Sequence, residues 1–222
     1  MTETMGIVRV VIVDDHVMFA ESLSRVLTTE IGIEVVGIAT NGPEAVRLAN
    51  DLRPTVMLVD YKMPGQDGVS IAAEVKRLHP EIFILMLTGA SDDQMILAAI
   101  DAGCSGFLTK DRAVDDVAHA VRDVANGEAL ISSEMLSRIL PKLKRTYRSV
   151  GHDLTSRERE VLALLALGWT SRVIADHMNL SLNTVRNYTQ SILSKLAAHS
   201  KLEAVATAVR EGIISHSTDR PA

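Results

Sequence analysis

The chain has 222 residues, 47% of them hydrophobic and 23% charged, with a formal net charge of −5, which describes a globular protein with room for one large domain or two ordinary ones. No apolar run approaches the roughly 20 residues that span a bilayer, so no membrane partner is expected. The start Met1-Thr2-Glu3-Thr4 lacks the basic region of a signal peptide, the single Cys104 excludes an internal disulfide framework and a cysteine zinc site, and the cytoplasm is the expected location.

Charge is unevenly spread. Residues 1–125 carry 10 Lys+Arg against 19 Asp+Glu, giving −9, residues 126–150 carry 5 against 2, giving +3, and residues 151–222 carry 8 against 7, giving +1. An acidic front half repels polyanions but suits a divalent cation.

In chain order, Ile7–Val13 reads as a β-branched strand stopping at Asp14-Asp15, and Val17–Leu27 carries helical apolar spacing. Glu34–Ala39 is a second strand, followed by Asn41 and Glu44 as a capping pair for a helix to Leu52. Val56-Met57-Leu58-Val59 is too short for a helix and reads as a buried parallel strand, ending at Asp60 before the turn Met63-Pro64-Gly65. A helix over Val69–Leu78 and a strand over Phe83–Thr88 follow. Ser91 with Gln94 is the expected cap of the next helix, to Ala102. Gly106–Thr109 is a short fifth strand ending at Lys110, and Asp111 is the expected cap of a helix to about Asn126. Five strands alternating with five helices predict a parallel sheet covered on both faces.

In such a sheet all carboxyl ends lie on one edge, where open α/β sheets bind ligands. Asp14-Asp15, Asp60, Thr88 and Lys110 therefore converge. Three crowded carboxylates repel one another, and a hard divalent cation relieves them. With an ammonium and a hydroxyl alongside, the pocket suits a phosphoryl group. Each residue alone has a plainer explanation as a cap, a strand end or a solvated charge, but the convergence favours the functional one.

On these residues, with Asp67-Gly68 and with Phe107 three positions before Lys110, residues 6–126 resemble the receiver domain of two-component response regulators, an α/β fold with a five-stranded parallel sheet, (βα)5 and flavodoxin-like. The resemblance implies that Asp60 accepts a phosphoryl group from a sensor histidine kinase. It implies that Asp15, Asp60 and the Lys62 backbone carbonyl bind Mg²⁺ directly, with Asp14 acting through water. Thr88 and Phe107 would be a switch pair. Gly89 after Thr88 and Asp111 after Lys110 depart from the usual Ala and Pro.

Beyond Asn126-Gly127, Ser132 or Ser133 caps a segment with Met135, Leu136, Ile139 and Leu140 at helical spacing. The basic run Lys142–Gly151 has no core pattern, so 127–151 reads as a linker with one helix. Thr155-Ser156-Arg157-Glu158 is a capping box opening a helix with Val161, Leu162, Leu164, Leu165 and Leu167 as core candidates. Ser171–Met178 is a short helix with Val173, Ile174, Ala175 and Met178 expected inside. Ser181 caps a longer helix through Leu196, with Val185, Ile192, Leu193 and Leu196 inward, Tyr188 as a further inward candidate, and Asn183, Thr184, Arg186, Asn187 and Gln190 outward. A fourth helix spans Ser200–Glu211. A short helix, a tight turn and a polar-faced longer helix is a helix-turn-helix layout; a four-helix dimerisation module shares it.

The stretch Leu154–Leu162, with Ile174-Ala175, Leu180-Ser181, Thr184-Val185-Arg186 and Lys195-Leu196, is similar to the LuxR/NarL-type DNA-binding domain, all-α with four helices, over an expected domain of 152–215. The resemblance implies double-stranded DNA as ligand, with Arg186, Asn187 and Gln190 at base-reading positions, a homodimer as the binding unit, and RNA polymerase as a further partner. Tyr188, Gln190 and Val173 replace commoner residues. The combined expectation is a non-enzymatic transcriptional regulator. Two alternatives compete with it. A phosphorylation-independent DNA binder is opposed by the intact pocket. A Mg-dependent aspartyl-phosphate phosphohydrolase needs an acid two residues after its nucleophile, where Lys62 stands.

Overall fold

The computed structural model describes residues 6–63, 65–89, 92–110, 114–143, 151 and 153–214. Pro64, the expected caps Ser91 and Asp111 and the basic stretch 144–150 lie outside the described residues. The first part alternates β1 (Val8–Val13), α1 (Val17–Thr29), β2 (Ile33–Ala39), α2 (Gly42–Leu52), β3 (Val56–Asp60), α3 (Gly68–Leu78), β4 (Phe83–Thr88), α4 (Asp93–Asp101), β5 (Gly106–Thr109) and α5 (Val114–Ala125). All strands are parallel, in the order β2-β1-β3-β4-β5.

Burial on both faces explains the continuous apolar strands. Val11, Val13, Met57, Val59, Ile84 and Met86 face the core under α2, α3 and α4, while their neighbours Val10, Ile12, Leu58, Leu85 and Leu87 face that under α1 and α5. The chain leaves β1 for β2 on one side and returns to β3 on the other. The crevice between the carboxyl ends of β1 and β3 is therefore the topological switch point. Gly68 opens α3 hard against the end of β3: a Cβ there would lie 2.1 Å from the Asp60 carbonyl oxygen.

Local caps match the residue chemistry with one correction. Asn41 accepts the Glu44 N–H at 3.0 Å, and the Glu44 carboxylate turns back to the Thr40 N–H at 2.9 Å. At α4 the capping carboxylate is Asp92, taking the Gln94 N–H at 3.0 Å. An aspartate is as good a cap as a serine.

After α5, residues 128–131 run beside β5, with Phe107 N–H donating to the Leu130 carbonyl at 2.9 Å and Leu130 N–H to the Ser105 carbonyl at 3.0 Å. The approach is so close that a Cβ on Gly106 would meet the Leu130 backbone at 2.6 Å. Then come α6 (Ser133–Ile139, capped by Ser132), a 3₁₀ turn (Leu140–Lys142), α7 (Ser156–Ala166), α8 (Ser171–Met178), α9 (Leu182–Lys195) and α10 (Lys201–Arg210). Thr155 and Glu158 form the expected reciprocal box, and Glu158 also joins Lys195 at 2.8 Å and Ser191 at 2.5 Å, tying α7 to α9. Asn179, at φ 53, makes the turn between α8 and α9.

Val173, expected inside, is 46% exposed, because the inner stripe of α8 is Ile174, Ala175 and Met178. Leu167 and Leu193 are half-buried. Thr189, absent from the expected inward face, is 6% exposed between Val185 and Ile192, its hydroxyl satisfied by the Val185 carbonyl at 2.9 Å. Among the described residues, no helix is long and apolar enough to cross a membrane.

Candidate functional site

The sheet delivers the expected residues to one place. Asp14 and Asp60 are buried, and Lys110 Nζ donates to both, at 2.6 Å to Asp14 Oδ2 and 2.9 Å to Asp60 Oδ2. Its other neighbour is the Phe19 ring, 4.8 Å from Nζ. Burial pushes the Asp60 carboxyl above its ordinary value. The Lys110 hydrogen bond opposes the rise, the Asp14 charge reinforces it, and the Lys62 backbone N–H opposes it again. For Lys110, burial disfavours the charge, but hydrogen bonds to Asp14 and Asp60 outweigh it and raise its pKa. The ammonium thus stays protonated between two carboxylates.

One lysine does not neutralise three aspartates. Asp14, Asp15 and Asp60 each place an oxygen within 4.8 Å of the others, and the His16 ring nitrogen joins the same group. Asp15 Oδ1 is buried without a hydrogen bond, although His16 Nδ1 lies 3.2 Å away. A buried orphaned carboxylate oxygen beside two more carboxylates fits a hard divalent cation. Lys62 lines the adjoining cleft with Asp15, Tyr61 and Asp67. Histidine spacing gave no sign of His16, whose proximity comes from following the acidic pair directly.

Thr88 is buried and donates to Met95 Sδ of α4 at 3.7 Å. Phe107 is 9% exposed, and the two share a cavity of about 70 Å³ with Met95, Ile131 and Met135. Helix α6 therefore lies over Thr88 and Phe107. Its end is held to the first turn of α4, where Asp93 pairs with Arg138 at 2.8 Å and with Lys142.

On α9, Asn183, Arg186, Asn187 and Gln190 are exposed, and Thr184 is half-buried with its hydroxyl on Ser181 at 2.7 Å. Arg186 and Gln190 also border a cleft of about 380 Å³ whose far wall includes Phe83, Asn126 and Glu128 of the sheet unit. The two units are joined by ion pairs between Lys201 and Glu128 at 3.0 Å and between Arg210 and Asp101. Glu128, Ser171 and Lys201 carried no signal in the sequence, lying 43 and 73 positions apart.

Residues 10–122 match the response regulator receiver domain, and residues 152–208 match the bacterial regulatory proteins of the luxR family. Over 207 residues the chain is 34% identical to the response regulator protein VraR of Staphylococcus aureus, covering 93% of this chain and 99% of VraR. The chain belongs to the two-component response regulators with a LuxR-type DNA-binding domain. Its sheet unit is similar to the receiver domain of the response regulator NarL from Mycobacterium tuberculosis, at 36% identity and TM-score 0.53, covering 55% of this chain and 99% of that one. An RcsB structure of two dimers bound to two parallel DNAs is 26% identical at TM-score 0.53, covering 91% of this chain and 98% of that one.

Proposed function

We propose that this regulator accepts a phosphoryl group on Asp60 from a sensor histidine kinase in the cytoplasm and thereby frees its helix-turn-helix to bind duplex DNA. The observation that carries this reading is the meeting of Asp14, Asp15, Asp60, Thr88 and Lys110 at one sheet edge, with Asp60 ending a wholly buried strand. We assign residues 6–126 to the receiver, 127–151 to the linker and 152–215 to the DNA-binding domain.

In the transfer, an Asp60 oxygen attacks phosphorus, the phosphorus–nitrogen bond of the kinase phosphohistidine breaks, and its electron pair returns to the imidazole. Lys110 holds the other Asp60 oxygen and then meets the phosphoryl charge, while the Thr88 hydroxyl donates to a phosphoryl oxygen. Asp15, Asp60 and the Lys62 backbone carbonyl would hold Mg²⁺, with Asp14 reaching it through water. When bound, the cation neutralises the crowded carboxylates and the incoming phosphoryl oxygens. Turnover of an external phosphate ester would require an acid two residues after Asp60, and Lys62 supplies none, which supports a regulator over a hydrolase.

As Thr88 turns to the phosphoryl group it leaves Met95, and with Phe107 it alters the α4–β5 face that α6 covers. The phosphoryl group acts only through different affinities for the closed and released arrangements. In the closed one, residues 126–129 face α9 across a cleft of about 380 Å³, whereas DNA reading needs that helix sunk into a major groove roughly 12 Å wide. Released, Asn183, Thr184, Arg186, Asn187 and Gln190 would face DNA, in a homodimer on two half-sites and with RNA polymerase as the effector of transcription.

Acetyl phosphate with Mg²⁺ should place one base-labile phosphoryl group on the protein, seen by intact-mass spectrometry, and Asp60→Asn should remove it. Undiminished labelling of that variant would reject Asp60 as acceptor.

A further inference from the structure

Glu128 lies just beyond α5, yet its carboxylate is held by the other domain. Its Oε2 accepts from Lys201 Nζ at 3.0 Å and from the Ser171 backbone N–H at 3.3 Å, while Lys201 Nζ also donates to Ser171 Oγ at 2.7 Å. Ser171 is the first residue of α8, so the carboxylate sits at the positive end of the first helix of the helix-turn-helix. Lys201 is 8% exposed and Ser171 fully buried. Arg172 and Arg186 border the same cleft, of about 690 Å³, with Asp123 and Glu128 among its acidic lining. The donors belong to the DNA-binding domain and the acceptor to the first residues of the linker, beside β5.

A buried ammonium is costly without an anion, and this one faces an anion that leaves when the domains part. In helix-turn-helix complexes the first helix crosses the DNA backbone, and helix N-termini with lysines are ordinary phosphate ligands. A carboxylate oxygen and a phosphate oxygen offer the same acceptor to the same N–H groups.

We propose that Lys201 and the Ser171 N–H form a site for a DNA backbone phosphate, and that Glu128 fills it as an internal substitute. Glu128 and DNA then compete for one anion site. The proposal rests on the DNA-binding function above and adds a phosphate contact outside the recognition helix. Because all donors converge on the same oxygen, both anions cannot be held at once, and Asp123 beside Glu128 adds repulsion against phosphate while the domains are closed.

The test uses the full chain, a short mixed-sequence duplex and fluorescence anisotropy across a potassium chloride series, with and without beryllofluoride and Mg²⁺ as the phosphoryl mimic. In the activated protein, Lys201→Met should flatten the log–log salt slope by ~0.9, the contribution of one phosphate contact, and Lys201→Arg should restore it. In the protein without the mimic, Glu128→Gln should strengthen duplex binding several-fold, with little change once the mimic is bound. A folded Lys201→Met variant with the wild-type slope, or a Glu128→Gln variant with unchanged affinity without the mimic, would overturn the shared site. Should Lys201→Met fail to fold, the Glu128→Gln comparison decides alone. If the activated wild type binds no duplex, the DNA-binding function falls and this site with it; if it binds and the slopes agree, only the site falls.

Discussion

The molecule holds two charged clusters of opposite sign, and they are completed in opposite ways. At the sheet edge, Asp14, Asp15 and Asp60 outnumber Lys110, leaving negative charge and an orphaned Asp15 oxygen. At the head of α8, Lys201 and a helix N-terminus make a positive cluster already closed by Glu128. The receiver pocket keeps unmet negative charge, whereas the positive cluster of the DNA-binding domain is met by the Glu128 carboxylate at the start of the linker. Under the proposed function, input open and output closed is the arrangement a switch needs before its signal.

The comparison breaks most readily at Lys110. Lys110→Met removes the cation that holds Asp60 and would meet the phosphoryl charge, so phosphorylation by acetyl phosphate should slow by about 10²–10³-fold, the usual loss of one preorganised donor. The same variant should raise the Asp60 pKa further, read by carboxyl NMR, since Lys110 opposes burial there more than the Lys62 backbone N–H does. A wild-type phosphorylation rate would leave Lys110 a structural tie only.

On the output side, Arg186→Ala should weaken specific DNA by about 1–3 kcal/mol if the side chain makes a bidentate contact with guanine O6 and N7, and weaken random duplex far less. Equal losses on both would demote it to a phosphate anchor. Gln190→Lys should steepen the salt slope by about 0.9 if position 190 faces a phosphate.

The pocket was legible because a parallel sheet gathers strand ends whatever their distance in sequence. Asp14, Asp60, Thr88 and Lys110 each end a readable strand, and topology does the rest. The helix-turn-helix was legible from its caps and its turn, although Val173 and Thr189 show the weakness of reading by polarity: position on the helical stripe, not residue type, decided which was buried. The closed arrangement was not legible. Glu128 reads as a solvated loop residue and Lys201 as an ordinary charge near a helix start. Only packing α10 near α4, and residues 126–130 against α8 and α9, brings them together.

Glu158 tests how far the DNA-binding domain stands on its own polar ties. Hydrogen bonds from Lys195, Ser191 and Thr155 overcome its burial and hold its pKa down to about 2. Its stabilising contribution is therefore present above the ordinary glutamate range and lost as pH falls toward about 2. Glu158→Gln should cost roughly 1–3 kcal/mol at neutral pH by urea titration and weaken the acid sensitivity of unfolding. No loss would mean that apolar packing alone joins α7 to α9.

Lys76 is a useful contrast, a buried cation without an ion pair among the described residues, donating to the Pro80 carbonyl at 3.0 Å. Burial pushes its pKa down to about 8 from 10.5. The unfolded chain therefore binds more protons between those values, and stability should rise with pH across that window. Cys104, pushed up by burial to about 12 from 9.0, acts in the opposite sense above its ordinary value. Between pH 7 and 9 the lysine effect should dominate, at about 1 kcal/mol, and Lys76→Met should remove it in urea titrations at the two pH values. An unchanged pH response in that variant would assign the rise elsewhere.

The most direct test of the coupling between the two clusters is the affinity of the full chain for a duplex selected by the protein itself, with and without beryllofluoride and Mg²⁺. The expected result is a gain of at least about tenfold on adding the mimic, equal to ~1.4 kcal/mol of bias between the closed and released states. In Asp60→Asn the gain should vanish. Equal affinities with and without the mimic in the wild-type protein, with the mimic shown to be bound, would contradict a receiver that controls DNA access.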